Sequence, residues 1–275
     1  MTRIQDKVAL ITGGADGLGR AIAERLKAEG ADVAITDISR PAGERTAQEL
    51  GFQFFLQDVA DEAGWKQLAA DVEARFGRLD ILVNNAGILG PMGEASPEAT
   101  RLDDFRRIFA INVDSVFLGC RAMIPLIARS GGGSIVNMAS TASFQATPFA
   151  TAYGASKAAV RHLTRSIAQH CAEQRLNIRC NSVHPGNVRT ALWERQAAEL
   201  AERQKVPVEE LVGAARRRNP LGDLSTPQDV AAMVAFLASE DARRVTGAAL
   251  MVDGGVVDCD TFREPPSDLP QASGR

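Results

Sequence analysis

Aromatic side chains are scarce in this sequence: one tyrosine, two tryptophans and eleven phenylalanines make up 5% of 275 residues, with only three histidines. Four cysteines are present, Cys120, Cys171, Cys180 and Cys259. None belongs to a C-x-x-C pair or stands in metal-ligand spacing to a histidine, which argues against a zinc site and against a disulfide framework. They read as reduced, mostly buried thiols of an intracellular protein, and no metal is expected. Charge of one sign is not in excess either. The net charge is −3 and the isoelectric point about 5.7, so no nucleic-acid footprint is present. The run Arg216-Arg217-Arg218 reads as a solvated helix face. No run of 18 apolar residues occurs, and no signal-peptide core follows Met1. Neither a membrane span nor export is expected, and the expected location is cytoplasmic.

What the chain does have is enough apolar sequence, 45%, to bury a core, and a regular order of short patterns. Val8 to Thr12 is a wholly apolar run, the pattern of a strand covered on both faces. Further strands are expected over 32–37, 52–58, 79–87, 134–140, 177–186 and 249–255. Helical patterns lie between them: one follows Gly19, others run over 41–50, 61–76, 101–129, 153–174 and 226–238, and 188–222 is irregular and helical. Unbroken alternation of this kind gives an α/β fold, a doubly wound, seven-stranded parallel sheet with helices on both faces. One domain, residues 1–255 with a substrate lid at 188–222, is expected. The tail, 256–275, has three prolines and no periodicity.

Gly13-x3-Gly17-x-Gly19 lies between the first strand and the first helix. Glycines there permit a tight turn and let backbone N–H groups approach a diphosphate at a helix N-terminus. No Lys-Ser/Thr follows, which argues against an ATP or GTP loop. Asp37 ends the second strand, where a carboxylate accepts from ribose hydroxyls and repels a 2′-phosphate. With Asp16 inside the loop, this favours NAD over NADP; Arg40 is the nearest contrary charge. Asn84-Asn85-Ala86-Gly87 ends the fourth strand, at the edge where ligands of such sheets bind.

The only tyrosine, Tyr153, stands four residues before Lys157. Residues i and i+4 share a helix face, so phenol and ammonium can meet in one site. A neighbouring cation is expected to lower the phenol's pKa and make it a proton donor and acceptor near neutral pH. Ser140 lies thirteen residues upstream. Asn112, in mid-helix, is a residue that helices disfavour, which points to a role. A Ser140–His184 hydrolase is argued against because no G-x-S-x-G surrounds Ser140.

Taken together, Thr12-Gly13-x3-Gly17-x-Gly19, Asn84-Asn85-Ala86-Gly87, Asn112, Ser140, Tyr153-x3-Lys157, Pro185-Gly186 and Asp253-Gly254-Gly255 resemble the short-chain dehydrogenase/reductase family in motif, order and spacing. The resemblance spans residues 7–255 and implies a single-domain Rossmann fold and an NAD-dependent alcohol dehydrogenase or ketoreductase. It implies that Ser140 hydrogen-bonds the substrate oxygen, that Tyr153 is the general acid/base, and that Lys157 binds the nicotinamide ribose. Asn112 would position a relay water. Gly13, Asp16, Gly17, Leu18, Gly19, Asp37 and Ile38 would hold the adenosine diphosphate half. Asp58 and Val59 would flank adenine, and Asn85, Ala86 and Gly87 the adenosine ribose region. Pro185, Gly186, Val188 and Thr190 would hold the nicotinamide. A homo-oligomer is implied, a tetramer ahead of a dimer.

For the substrate, Leu89, Met92, Phe144, Phe149, Leu192 and Trp193 border the expected pocket, with Ser140, Tyr153, Phe144 and Trp193 expected to touch the molecule. An apolar pocket suits a medium-sized hydrophobic alcohol or ketone. The segments 115–120 and 136–140 and the His184-Pro185 pair resemble bacterial hydroxysteroid dehydrogenases, which implies a cyclic or steroid-like substrate. The alternatives are an NADPH-linked ketoacyl-type reductase and a dinucleotide-binding sensor without turnover.

Overall fold

The strands that read as apolar runs pair side by side. In the computed structural model, which describes residues 4–91 and 95–257, they form one parallel sheet in the order β3-β2-β1-β4-β5-β6-β7. The strands are β1 (Val8–Thr12), β2 (Asp32–Asp37), β3 (Gln53–Leu56), β4 (Ile81–Asn84), β5 (Gly133–Met138), β6 (Ile178–Pro185) and β7 (Ala249–Val252). The helices are α1 (Gly17–Ala28), α2 (Arg40–Leu50), α3 (Glu62–Phe76), α4 (Leu102–Phe109), α5 (Ser115–Arg129), α6 (Thr151–Glu173), α7 (Ala191–Gln204), α8 (Val208–Arg217) and α9 (Pro227–Ala238). Met92, the tail from residue 258 with Cys259, and the side chain of Leu192 lie outside the described residues.

Alternate side chains of each strand serve opposite cores. Ala9 and Ile11 of β1 face α1 and α9, packing with Ile22, Leu26, Val230 and Val234. Val8 and Leu10 face α3, α5 and α6, packing with Trp65, Val72, Met123 and Val160. Each large aliphatic side chain so buried contributes about 1.5–3 kcal/mol. Helix α9 starts where its sequence says: Thr226 and Asp229 form a reciprocal capping box around Pro227.

The expected boundaries shift in two places that matter. Strand β4 stops at Asn84, so Asn85-Ala86-Gly87 is a free turn over the sheet edge. The expected helix 101–129 is α4 and α5 joined by a π-helical turn, Ala110–Asp114. That turn carries Asn112, which is buried. The combined helix Leu102–Arg129 also passes the length and composition test for a bilayer span, with a mean hydropathy of 1.4 over its best window. Half of that window is buried, and α5 packs on α3, β4 and α6, which is how the core helix of a globular fold behaves.

The chain builds outward from β1 to β3, then returns to lay β4 on the other side of β1. A crevice therefore opens beyond the carboxyl ends of β1 and β4, where the winding reverses.

Candidate active site

The glycine loop is held at this crevice by the turn after β4. Asn85 donates through Nδ2 to the carbonyl oxygens of Thr12 (2.9 Å) and Gly13 (3.1 Å). The Thr12 hydroxyl accepts from the backbone N–H groups of Asn85 and Ala86, each at 3.0 Å. Gly13 and Gly17 have left-handed backbones, at φ 62° and 55°. Asp16 caps α1, accepting from the Gly17 N–H at 2.7 Å. The loop, the α1 N-terminus and the turn line a groove of about 500 Å³.

Of the residues expected to hold a dinucleotide, Gly13, Asp16, Gly17, Leu18, Gly19, Asp37, Ile38, Asp58, Val59, Asn85, Ala86, Gly87 and Thr190 line this groove. Asp37 is fixed at its edge by the N–H groups of Ala15 (3.3 Å) and Ser39 (2.9 Å). Ile38 is 71% exposed, an apolar surface left for a ring to cover. Arg40 turns away to Glu44, and Arg20 to Glu24 and Glu49. The groove wall also includes Gln57, Arg107, Ile111 and Arg195, which the motifs do not reveal because three come from α4, the π turn and α7, distant in sequence. Pro185, Gly186 and Val188 lie outside the groove wall. Val188 bridges to Ser225, and Gly186 lines a neighbouring cavity.

The proton-transfer candidates gather where β5 meets the first turn of α6. Ser140 leads a short 3-10 turn, Thr141–Ser143, and its Oγ accepts from the Ala142 N–H at 3.1 Å. Tyr153 is half-buried in the first turn of α6, near enough to Ser140 for that side chain to act on its pKa. Lys157 is buried, its Nζ 5.7 Å from the Tyr153 ring centroid and donating to the Met138 carbonyl at 2.9 Å. Asn112 holds the backbone of Ile88 both ways, at 2.8 and 2.9 Å, and donates to Ser156 at 3.0 Å. A Cβ added to Gly87 would sit 3.2 Å from Asn112 Oδ1 and 3.3 Å from Lys157 Nζ, so these two groups flank the same glycine.

One expectation is reversed. Lys157 does not lower the tyrosine's pKa here. Burial raises it, and the hydrogen bond with Ser140 opposes the rise. The ammonium lies over the ring face and is itself pushed down to about 8 by burial. Desolvation of a phenolate outweighs a cation so placed.

His184, expected only as a turn residue, is fully buried at the end of β6. Burial, with the Lys157 and Arg161 cations nearby, pushes its pKa down to about 4. The folded protein keeps this imidazole neutral, whereas the unfolded chain protonates it near pH 6.5. Its contribution to stability is therefore present above pH 6.5 and is lost as the pH falls toward 4. Denaturant midpoints measured across that range should decline less steeply for His184→Asn than for the unaltered protein.

Two smaller cavities adjoin the crevice. One, about 330 Å³, lies between Leu89–Pro91 and Arg107 and reaches Gln196. The other, about 420 Å³, is roofed by α7 and α8 and lined by Thr141, Gln145, Trp193, Leu200 and Leu211 among others. Trp193 is thus on a cavity wall as expected. Phe144 does not line these two cavities: its ring, 38% exposed, has the Arg161 guanidinium 3.9 Å from its centre and meets His184 edge-on. Phe149 is 86% exposed. Cys120, Cys171 and Cys180 are buried and free, and no metal-ligating cluster occurs among the described residues.

The groove fits a dinucleotide. Its glycine loop has no Cβ in the way at Gly17, a carboxylate fixed at one end and a lysine–asparagine pair at the other, around Gly87. Comparison with known proteins agrees. A family model described as enoyl-(acyl carrier protein) reductase matches residues 13–257. A 3-beta-hydroxysteroid dehydrogenase of Comamonas testosteroni is 41% identical over 257 residues, 93% of this chain and 97% of the relative. An NADP-dependent (R)-specific alcohol dehydrogenase of Lentilactobacillus kefiri is 38% identical, over 92% and 97%. The ligand-free structure of Thermoplasma acidophilum aldohexose dehydrogenase superposes with a TM-score of 0.85 at 35% identity, covering 96% of this chain and 99% of that one. With its parallel sheet, dinucleotide groove and Ser140–Tyr153–Lys157 cluster, this chain belongs to the short-chain dehydrogenase/reductase family, oxidoreductases that bind a nicotinamide dinucleotide.

Proposed function

We propose that this protein is an NAD-dependent oxidoreductase that interconverts a secondary alcohol and a ketone on a medium-sized hydrophobic, cyclic or steroid-like substrate. The observation that carries the reading is the meeting of Ser140, Tyr153 and Lys157 beside the groove that fits a dinucleotide. Ser140 and the Tyr153 hydroxyl hydrogen-bond the substrate oxygen, where charge develops. Tyr153, kept protonated by burial, gives its proton to the ketone oxygen and takes it back from the alcohol. Lys157 holds the nicotinamide ribose, and Asn112 positions a water that carries protons toward Lys157. Val188 and Thr190 hold the nicotinamide carboxamide, and Pro185 and Gly186 its ring. The bound cofactor supplies or accepts the hydride. The cavity under α7 and α8 offers Trp193, Leu200 and Leu211 as an apolar wall opposite Thr141, Gln145 and Asn187, which supports a hydrophobic substrate that carries polar groups.

The test is NAD reduction with a panel of secondary alcohols that includes cyclic alcohols and hydroxysteroids. Tight NAD binding without turnover on any of them would leave the sensor reading in place. The relative from Lentilactobacillus kefiri is NADP-dependent, so cofactor choice needs its own measurement. Asp37 carries the preference for NAD, since a 2′-phosphate would face its carboxylate and juxtaposed like charges cost several kcal/mol. Asp37→Ser is expected to move the NADPH-to-NADH ratio of Kd values toward NADPH by about 100-fold. Equal binding of both cofactors by the unaltered protein would overturn the NAD assignment. A cytoplasmic homotetramer completes the reading, and Phe117 of α5, 47% exposed, is part of the face it would cover.

A further inference from the structure

One buried and fully bonded polar group near the site has no part in the proton-transfer scheme. The imidazole of His184 has Nδ1 at 2.8 Å from Ser143 Oγ and 3.0 Å from the Ser140 carbonyl oxygen. Its Nε2 lies 2.7 Å from Ser182 Oγ. A carbonyl oxygen only accepts, so a ring nitrogen 3.0 Å from it must carry the proton. That sets the tautomer: Nδ1–H is shared between the Ser140 carbonyl and Ser143 Oγ, and Nε2 accepts from the Ser182 hydroxyl. The Ser143 hydroxyl donates to the same Ser140 carbonyl at 2.7 Å. Two donors, one from β6 and one from the 3-10 turn, therefore converge on a single carbonyl.

The surroundings leave the ring no freedom. It is fully buried, Phe144 meets it edge-on at 5.0 Å, and Arg161 covers the far side of Phe144. Arg161 also donates to the Ser143 carbonyl at 3.1 Å. The turn is thus fastened at residues 140 and 143 to β6 and α6. Ser140 is where the backbone leaves β5, and its Oγ is aimed by the Ala142 N–H of the turn that starts at its carbonyl, so holding that carbonyl holds the turn that orients the hydroxyl. We propose that His184 is a positioning residue for the reaction: by holding the Ser140 carbonyl through Nδ1–H, it sets the Ser140 hydroxyl against Tyr153 and the substrate oxygen. This inference rests on the roles proposed above for Ser140 and Tyr153.

The experiment compares His184→Leu with His184→Asn, reading kcat, KM, NADH Kd and thermal midpoint for each. Leucine leaves the carbonyl without its ring donor. Asparagine can place its Nδ2–H near the position of Nδ1. Misplacing a catalytic group by ~1 Å costs on the order of 100-fold, so His184→Leu is expected to lower kcat by about 10- to 100-fold, with NADH Kd changed less than about twofold. His184→Asn is expected to recover most of kcat, although it still leaves Ser182 without its acceptor. A purely structural histidine would instead lower the thermal midpoint in both variants and leave kcat per folded molecule unchanged, which would overturn the proposal. An asparagine variant no better than the leucine variant would overturn it as well. Should His184→Leu fail to fold, Ser143→Ala removes the other donor to the same carbonyl. It must then lower kcat at unchanged NADH Kd, and unchanged kcat there sinks the idea. Tyr153→Phe, measured beside these, separates the two levels. Turnover retained in that variant removes the acid/base reading itself. Turnover lost there but kept in His184→Leu removes only the positioning role.

Discussion

Tyr153→Phe is expected to lower kcat about 10³-fold, equivalent to about 4 kcal/mol of transition-state stabilisation, while NADH binds within about twofold of the unaltered protein. The substitution deletes one oxygen and keeps the ring. The ring contact with Lys157, 5.7 Å from the ammonium, is retained, and so is the Lys157 bond to the Met138 carbonyl. The phenol does not line the dinucleotide groove among the described residues, so binding has little to lose. What goes is the hydroxyl beside Ser140 to which the proposed reading assigns the proton transfer. Steady-state turnover together with NADH fluorescence titration checks both halves. Retention of kcat within about tenfold would mean that the proton travels by another group.

Gly19→Ala should strike the cofactor site from the opposite direction. A Cβ at position 19 would overlap the Gly13 carbonyl oxygen and lie 2.6 Å from Asn85 Nδ2. One obstacle is loop backbone and the other is the Asn85 amide that laces the loop, so α1 or the loop must move. Movement also disturbs the two Asn85 bonds that fasten the loop to the turn after β4. NADH Kd is expected to rise about 100-fold, about 2.7 kcal/mol, with a lower thermal midpoint. Gly17→Ala supplies the comparison. Its Cβ would meet nothing within 4 Å, and the penalty is only that of a left-handed backbone at φ 55°, about 1–2 kcal/mol. A larger loss from Gly17→Ala than from Gly19→Ala would show that backbone strain, rather than close approach, governs the loop.

The alternation of apolar runs and amphipathic patterns was enough to place all seven strands, because parallel strands under crossover helices read as short apolar-rich runs. Asn112 was visible as a polar residue where a helix has no use for one, but the π turn that carries it was not. A widened turn is decided by what the neighbouring helix and the Ile88 backbone ask of that side chain. Asn84 and Asn85 looked like one motif and do different work. Asn85 laces the glycine loop, while Asn84 is buried and donates to Asn137 at 2.8 Å, joining β4 to β5. Phe144 was expected against substrate from its place in the segment 141–149 and its hydrophobicity. Arg161 of α6 stacks on its ring, which stays 38% exposed, a contact 17 residues away that no local pattern announces.

The sequence by itself determined the doubly wound sheet, the groove at the ends of β1 and β4, and which residue types stand ready there. Those properties depend on local periodicity and on spacing within single turns, and both are written along the chain. The tertiary structure alone decided the direction of the Tyr153 pKa shift, the roof of α7 and α8, and the bonds of His184. A pKa follows from how much water the fold removes and where a cation comes to rest, and Lys157 rests over the ring with its Nζ donating a hydrogen bond to the Met138 carbonyl. The His184 bonds join β6 to a turn 41 to 44 residues earlier, a separation over which no sequence pattern carries information.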